Sequence, residues 1–282
     1  MGYCLSLADG NHWVLSGNGK NAEFISELAG IMRLKECEQN GFLKLLCLNG
    51  KKEKSDDYDS HWKVYESPSI RILYNENSDK SICEIKSAPD ETIKYINMWY
   101  SLMPIYMRSM SLGGLPFHAG LAELNGKGVL FAAPGNTGKS TCCRRLPDYW
   151  KPLCDDEALV VLSKTGEYMA HPLPTWSDYI MKRASNTWDA QHSVPLSAIF
   201  FIEQAETDEI IPMARGRSAV RITGSADEVF MKLLRNLYTE EKIEFRKNTF
   251  NNAFDMAQKI PSFQLRVSLN GHFWEKIEEV IA

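Results

Sequence analysis

The stretch Ala133-Pro134-Gly135-Asn136-Thr137-Gly138-Lys139-Ser140-Thr141 follows directly on the apolar run Gly128-Val129-Leu130-Phe131-Ala132. That order predicts a buried strand running into a glycine-rich turn and then a helix, which points to an α/β fold. The turn fits G-x-x-x-x-G-K-[ST] except at its first position, where Ala133 replaces glycine. Gly135 and Gly138 admit backbone angles closed to other residues, so successive N–H groups can turn inward around phosphate oxygens. Asn136, Thr137 and Thr141 complete such a cradle. Lys139 brings a point charge to the outer phosphates, and Ser140 offers Mg²⁺ a hydroxyl at the positive end of a helix. An ordinary strand-to-helix turn is the plainer reading. The strand before it and the helical run Thr141–Leu146 after it favour a loop that takes a nucleoside triphosphate.

The remaining composition narrows the class. The chain has 282 residues, 44% apolar and 24% charged, with a formal net charge of −4 and no long basic run, so no nucleic-acid surface is expected. Met1–Leu7 lacks the basic start and long apolar core of a secretory signal. Met1-Gly2 with Ser6 fits the loose myristoylation pattern, but these residues read as a first strand. Ile93–Met110 is interrupted by Lys94, Pro104 and Arg108, so no membrane span is expected there. Seven cysteines, an odd number without paired C-x-x-C spacing, fit a reducing cytoplasm better than a disulfide framework or a zinc site. Cytoplasmic localisation is therefore expected.

Two regions are expected: a strand-rich α+β region over residues 1–110 ending in a long helix, and a nucleotide-binding catalytic domain over 111–282. In the first, Tyr3–Leu7, Phe42–Leu48, Trp62–Glu66, Ile70–Tyr74 and Ile82–Ile85 read as short strands. Turn signals such as Asn49-Gly50 and Asn75-Glu76-Asn77 separate them, Ala22–Leu34 has helical spacing, and Lys51–Asp57 reads as a charged loop. A helix starting at Asp90 or at Ala88-Pro89 and running to about Met110 is bent or broken at Pro104. In the second, Pro116–Glu123 and Gly128–Ala132 flank the tight-turn signal Asn125-Gly126. Trp150–Cys154, Ala158–Leu162, Val194–Ile202 and Phe263–Val267 read as strands. His171–Trp176 reads as a proline-rich loop, and Ser225–Leu237 and Phe273–Ile281 as helices.

Asp155-Asp156 closes the first strand after the loop's helix, where a carboxylate can reach a metal ion or accept the proton of an attacking hydroxyl. His118 stands at the start of the hairpin. An exposed acidic turn and a structural histidine are the plainer readings of each alone. No Asn-Lys-x-Asp guanine motif follows the loop, and no H-R-D or D-F-G signature is present.

Taken in order, His118-Ala119-Gly120, Gly126–Phe131, Gly135–Thr141 and Cys154-Asp155-Asp156 resemble the motifs of the HPr serine kinase/phosphorylase fold. That family is distantly similar to phosphoenolpyruvate carboxykinase in its nucleotide-binding core. The resemblance is good over residues 112–162 and loose elsewhere. It implies a P-loop-containing mixed-sheet core, with Lys139 on the β- and γ-phosphates and Ser140 and Asp155 toward Mg²⁺. It also implies Asp156 as the base toward a serine hydroxyl and His118 as its support; the division of roles between Asp155 and Asp156 stays open. The family's first loop glycine is Ala133 here, its central Ser-Gly pair is Gly135-Asn136, and its later Glu-containing signature is missing, so HPr itself is not the expected acceptor. The chain looks more like the HPr-kinase-like proteins of ribosomally made peptide pathways, among them lasso-peptide tailoring kinases and ScmC-type cassette proteins. His171–Ser177 and Val194–Glu203 resemble segments of that branch.

The expectation is thus an ATP- and Mg²⁺-dependent kinase acting on a hydroxyl of a precursor peptide. The alternatives are an ATP-binding sensor without transfer and a small-molecule kinase. His171 and Trp176 are weaker candidates for an acceptor site. Arg215, Arg217 and Arg221, read as loop residues, are candidates for offsetting phosphoryl charge. Trp13, Trp62, Trp99 and Trp188 read as packing residues.

Overall fold

The computed structural model describes residues 2–38, 43–49, 62–75, 77–135, 137–183, 186–230 and 239–281. Expectations that fall on Met1, Phe42, Gly50–Asp57, Glu76, Asn136 and residues 231–237 lie outside them.

The first layer contains β1 (Gly2–Ser6), β2 (His12–Gly17), α1 (Asn21–Ile31), β3 (Lys35–Cys37), β4 (Leu43–Asn49), β5 (Lys63–Glu66), β6 (Ile70–Tyr74) and β7 (Lys80–Ile85). Its strands form a mixed seven-stranded sheet in the order β3-β1-β2-β4-β7-β6-β5. The parallel pairing of β2 with β4 requires a crossover, which α1 supplies while burying Phe24, Ile25 and Leu28. α2 (Glu91–Ser101) and α3 (Met103–Ser111) follow. Asp90 caps α2 by accepting from Ile93 N–H at 2.9 Å. The expected long helix breaks at Leu102, with Pro104 in the first turn of α3, where no donor is needed.

The second layer contains β8 (Leu115–Phe117), β9 (Ala119–Leu124), β10 (Lys127–Ala132), α4 (Lys139–Arg145), β11 (Lys151–Cys154), β12 (Glu157–Leu162), β13 (Tyr168–Leu173) and α5 (Trp176–Ile180). β14 (Val194–Gln204), β15 (Glu209–Pro212), α6 (Arg215–Phe230), α7 (Thr239–Lys259), β16 (Ser262–Val267) and α8 (Phe273–Ile281) complete it. Nine strands form its sheet, with β11-β9-β10-β14-β13-β12-β8 as the main path and β16 and β15 beyond β14. The fold is α/β with mixed sheets. β14 joins the halves of this sheet: its start pairs with β13, and the rest lies parallel between β10 and β16.

Two connections cross between these halves at one level. β8 pairs with β12, whereas β9 pairs with β10 and β11, so the chain changes halves at His118. β11 pairs with β9 and β12 with β8, so it changes again at Asp155-Asp156. At these crossing points the side chains of His118 and Asp156 turn toward each other.

Several expectations are corrected. His171 is not in a surface loop: it lies in β13, and Trp176 begins α5. Arg215, Arg217 and Arg221 lie on α6, which starts ten residues before Ser225. β2, β3 and α7 were not anticipated. The expectation that the cysteines form no disulfide is corrected by a bond between Cys4 on β1 and Cys37 on β3. The antiparallel β1–β3 pairing brings the two together. The other five cysteines are buried thiols. Among the described residues, no helix is long and apolar enough to cross a membrane.

One apolar cluster runs through both layers, from Leu5 and Trp13 to Leu159, Phe230 and Met256. His171 pins the layers together. Its Nδ1–H donates to the Ala190 carbonyl at 3.0 Å, and its Nε2 accepts from Ala8 N–H at 3.1 Å. Burial pushes its pKa down to about 4, so the ring is neutral and its tautomer fixed.

Candidate active site

Val129–Ala132 of β10 lie between β9 and β14 and are buried, so β10 delivers its C-terminal end to a fixed place. The glycine-rich turn starts there. Gly138 has φ +114°, a left-handed conformation that glycine adopts without strain, and it leads directly into α4. Ala133 is not among the residues with positive φ, and it contributes its carbonyl, which accepts from Lys139 Nζ at 2.8 Å. Any small residue supplies that carbonyl, which accounts for alanine at the first position of the motif. Gln204 at the end of β14 steadies the turn through Nε2–H to the Thr137 carbonyl at 3.2 Å.

Lys139 is buried, 6% exposed. Burial lowers its pKa below the ordinary lysine value, while Asp156, Glu228 and Asp155 pull it back up. An ammonium at the base of this turn thus faces three carboxylates. Asp155 accepts from the Thr175 hydroxyl at 2.6 Å, and Thr175 is buried where β13 gives way to α5. His118 Nε2–H donates to Asp156 Oδ1 at 3.0 Å, and its Nδ1–H donates to Glu228 Oε2. Burial opposes charge on the ring, but the bonds to Asp156 and Glu228 outweigh it and raise the His118 pKa. Immediately behind, Glu157 is fully buried with its carboxyl pushed up to about 8 by desolvation, and the Tyr106 hydroxyl donates to it.

The fold therefore brings His118, Lys139, Asp155 and Asp156 into one cluster. Ser140 is half-buried on α4 beside Lys139, and Thr141 is exposed one residue on. His171 and Trp176 are buried, and His171 is bonded to Ala190 and Ala8 rather than to a member of the cluster. Arg215 and Arg217 are exposed at the start of α6. Arg221 lies with its guanidinium carbon 5.2 Å from the Phe201 ring centroid and lines a cavity of about 110 Å³ with Ala133, Ser225 and Glu228. Sequence reasoning missed Glu228 and Thr175. Thr175 lies within the His171–Ser177 segment but was given no role there, and Glu228, outside every motif, reaches His118 across 110 positions of chain.

A second, larger cavity of about 410 Å³ opens on the other side of the turn. Ile202, Cys142 and Val267 give it an apolar floor, and Thr141, Gln204 and Ser268 supply polar atoms. Arg145 closes one wall, donating to the Ser268 and Gly271 carbonyls at 2.8 and 2.6 Å. Among the described residues, no three His, Cys, Asp or Glu side chains are grouped to hold a metal ion.

A comparison with curated proteins finds no match. Residues 81–282, which contain every strand and helix of the cluster just described, match the family model of the SynChlorMet cassette protein ScmC, and the chain belongs to that family.

Proposed function

We propose that this protein is a kinase of the HPr-kinase-like kind that transfers the γ-phosphate of ATP to a hydroxyl, a serine of a precursor peptide being the favoured acceptor. The observation that carries the reading is the convergence of a buried lysine at the base of a glycine-rich turn with a His–Asp pair across from it. Phosphoryl transfer needs little covalent help from protein; it needs positioning and charge. Pro134, Gly135, Thr137 and Gly138 of the turn would hold the phosphates against Lys139. The cavity of about 410 Å³ on the β14 side has room for the nucleoside.

The metal fit is tested by donor chemistry. Ser140 and Asp155 are hard oxygen donors, and Mg²⁺ is characteristically held by one or two protein oxygens with phosphates and water supplying the rest. Bound there, Mg²⁺ would offset charge on the phosphates. Asp156 takes the proton of the attacking hydroxyl as its oxygen bonds to phosphorus and the bond to the bridging oxygen breaks, releasing ADP. Thr175 keeps Asp155 turned to the phosphates, and His118 keeps Asp156 turned to the acceptor. The family's description as a cassette protein accords with an acceptor encoded in the same gene cassette.

Incubation with γ-labelled ATP, Mg²⁺ and the peptide encoded beside the gene tests the reading. Label on the peptide, lost in Asp156→Asn while nucleotide still binds, is the expected result. Tight ATP binding without label on peptide or small molecule would make the protein a sensor instead.

A further inference from the structure

α6 meets His118 at two points one helical turn apart. Ser225 Oγ donates to the His118 backbone carbonyl at 3.3 Å, and His118 N–H donates to the Ser225 carbonyl at 3.3 Å. Three residues on, Glu228 accepts from the ring Nδ1. The i,i+3 spacing puts both contacts on one face of the helix. A single helix therefore fastens the backbone and the ring of the same histidine.

The far ring nitrogen meets Asp156, so the imidazole lies between two carboxylates. Ionised carboxylates only accept, so both ring nitrogens must donate. Such a ring cannot rotate without breaking a charge-assisted hydrogen bond. The charged groups that face His118 are Asp156 from the β11–β12 crossing, Glu228 from α6 and Lys139 from α4. On the ring's Nδ1 side the bonded carboxylate is Glu228, which lines the small cavity together with Arg221 and Ser225.

We propose that Glu228 is a positioning residue: it fixes the His118 ring so that Nε2–H directs the Asp156 carboxylate toward the acceptor hydroxyl. The proposal rests on the reading of Asp156 as the base, but the fastening itself can be measured without any transfer. Glu228 is 38% exposed along its side chain, so its replacement does not open the core.

The test uses the full chain with Glu228→Ala and Glu228→Gln, each checked for an unchanged melting temperature. Glu228→Ala is expected to lower kcat for transfer about 10- to 100-fold, as misplacement of a reacting group does. Glu228→Gln removes the same charge that faces Lys139, so any change in KM for ATP should be shared by both variants while the loss of kcat is confined to Ala. Glu228→Gln, whose amide oxygen still accepts from Nδ1–H, should recover most of kcat. Long-range proton–nitrogen spectra should show a protected Nδ1 proton on His118 in the parent and the Gln variant, exchanging freely in the Ala variant. An Ala variant with the parent kcat and an unaltered His118 spectrum would overturn the proposal, and so would a Gln variant as impaired as Ala. Loss of Nδ1 protection in Ala, with no transfer by the parent to any hydroxyl, supports the fastening and refutes the kinase reading instead.

Discussion

His118 Nε2 and Asp156 Oδ1 lie 3.0 Å apart although each residue leaves a different strand at a different crossing of the sheet. The contact makes the pair a unit, so neither substitution is expected to behave as a local one. Asp156→Asn should lower kcat by about two to four powers of ten, the span usual for a general base. Nucleotide affinity, measured by calorimetry, should change little. A kcat within a few-fold of the parent would remove Asp156 from the chemistry.

Lys139→Met keeps the buried stem and removes the charge. Because the ammonium faces Asp155, Asp156 and Glu228, its loss leaves carboxylates to repel incoming phosphate. Tripolyphosphate binding should weaken at least tenfold, which is about 1.4 kcal/mol. Undiminished binding would place the phosphates elsewhere.

The cavity beside α4 makes a separate claim. ATP should bind more tightly than tripolyphosphate, because the nucleoside gains apolar contact that the bare phosphates lack. Ala205→Trp, which fills the cavity from its wall, should erase that advantage and leave tripolyphosphate binding intact. Equal loss of both ligands would contradict the assignment of the cavity to the nucleoside.

Glu157 gives the fold a pH dependence of definite sign. Its carboxyl titrates at about 8 in the folded chain against an ordinary 4.5, so the folded state binds more protons between those values. The stability this group contributes is complete below pH 4.5 and is lost as pH rises through about 8. Glu157→Gln retains an acceptor for the Tyr106 hydroxyl and should flatten the fall in melting temperature between pH 5 and pH 8. A variant with the parent's slope would show that another group sets it.

His171→Leu leaves the buried Ala190 carbonyl and the half-buried Ala8 N–H without their partner. A cost of about 2–4 kcal/mol in urea unfolding follows from two such orphaned groups. A change below about 0.5 kcal/mol, the range of ordinary surface substitutions, would show that His171 does not pin the layers.

Local chemistry was the legible part of the fold. Asn125 and Gly126 have φ of +51° and +78°, the tight hairpin their dipeptide announces. Asp90 caps and Pro104 divides the long helix as their residue types dictate. His171 was misread because Pro172 and Pro174 suggest a loop, whereas Pro172 sits in β13 opposite Ala158. α7 was missed because exposed Phe250 and Phe254 blur its helical period. Within the cluster, the turn and the acidic pair were readable from order along the chain. Glu228 and Thr175 were not, since their contacts arise from packing between distant segments. The Cys4–Cys37 bond follows from strand pairing, which cysteine spacing does not encode.

The paired crossings at His118 and Asp155-Asp156 tie the geometry of the candidate site to strand register. In β8–β12, Phe117 faces Ala158, and in β9–β11, Leu121 faces Cys154. Sliding either pair by one residue would invert its side chains and send His118 and Asp156 to opposite faces. The cluster can assemble only after both halves of the sheet have settled, a late event for pairings this distant in sequence. Gly120 shows how narrow the tolerance is, since a Cβ there would lie 2.6 Å from Cys143 Sγ on α4. Recovery of activity during refolding should therefore lag behind recovery of secondary structure, making turnover a gauge of register across the whole sheet.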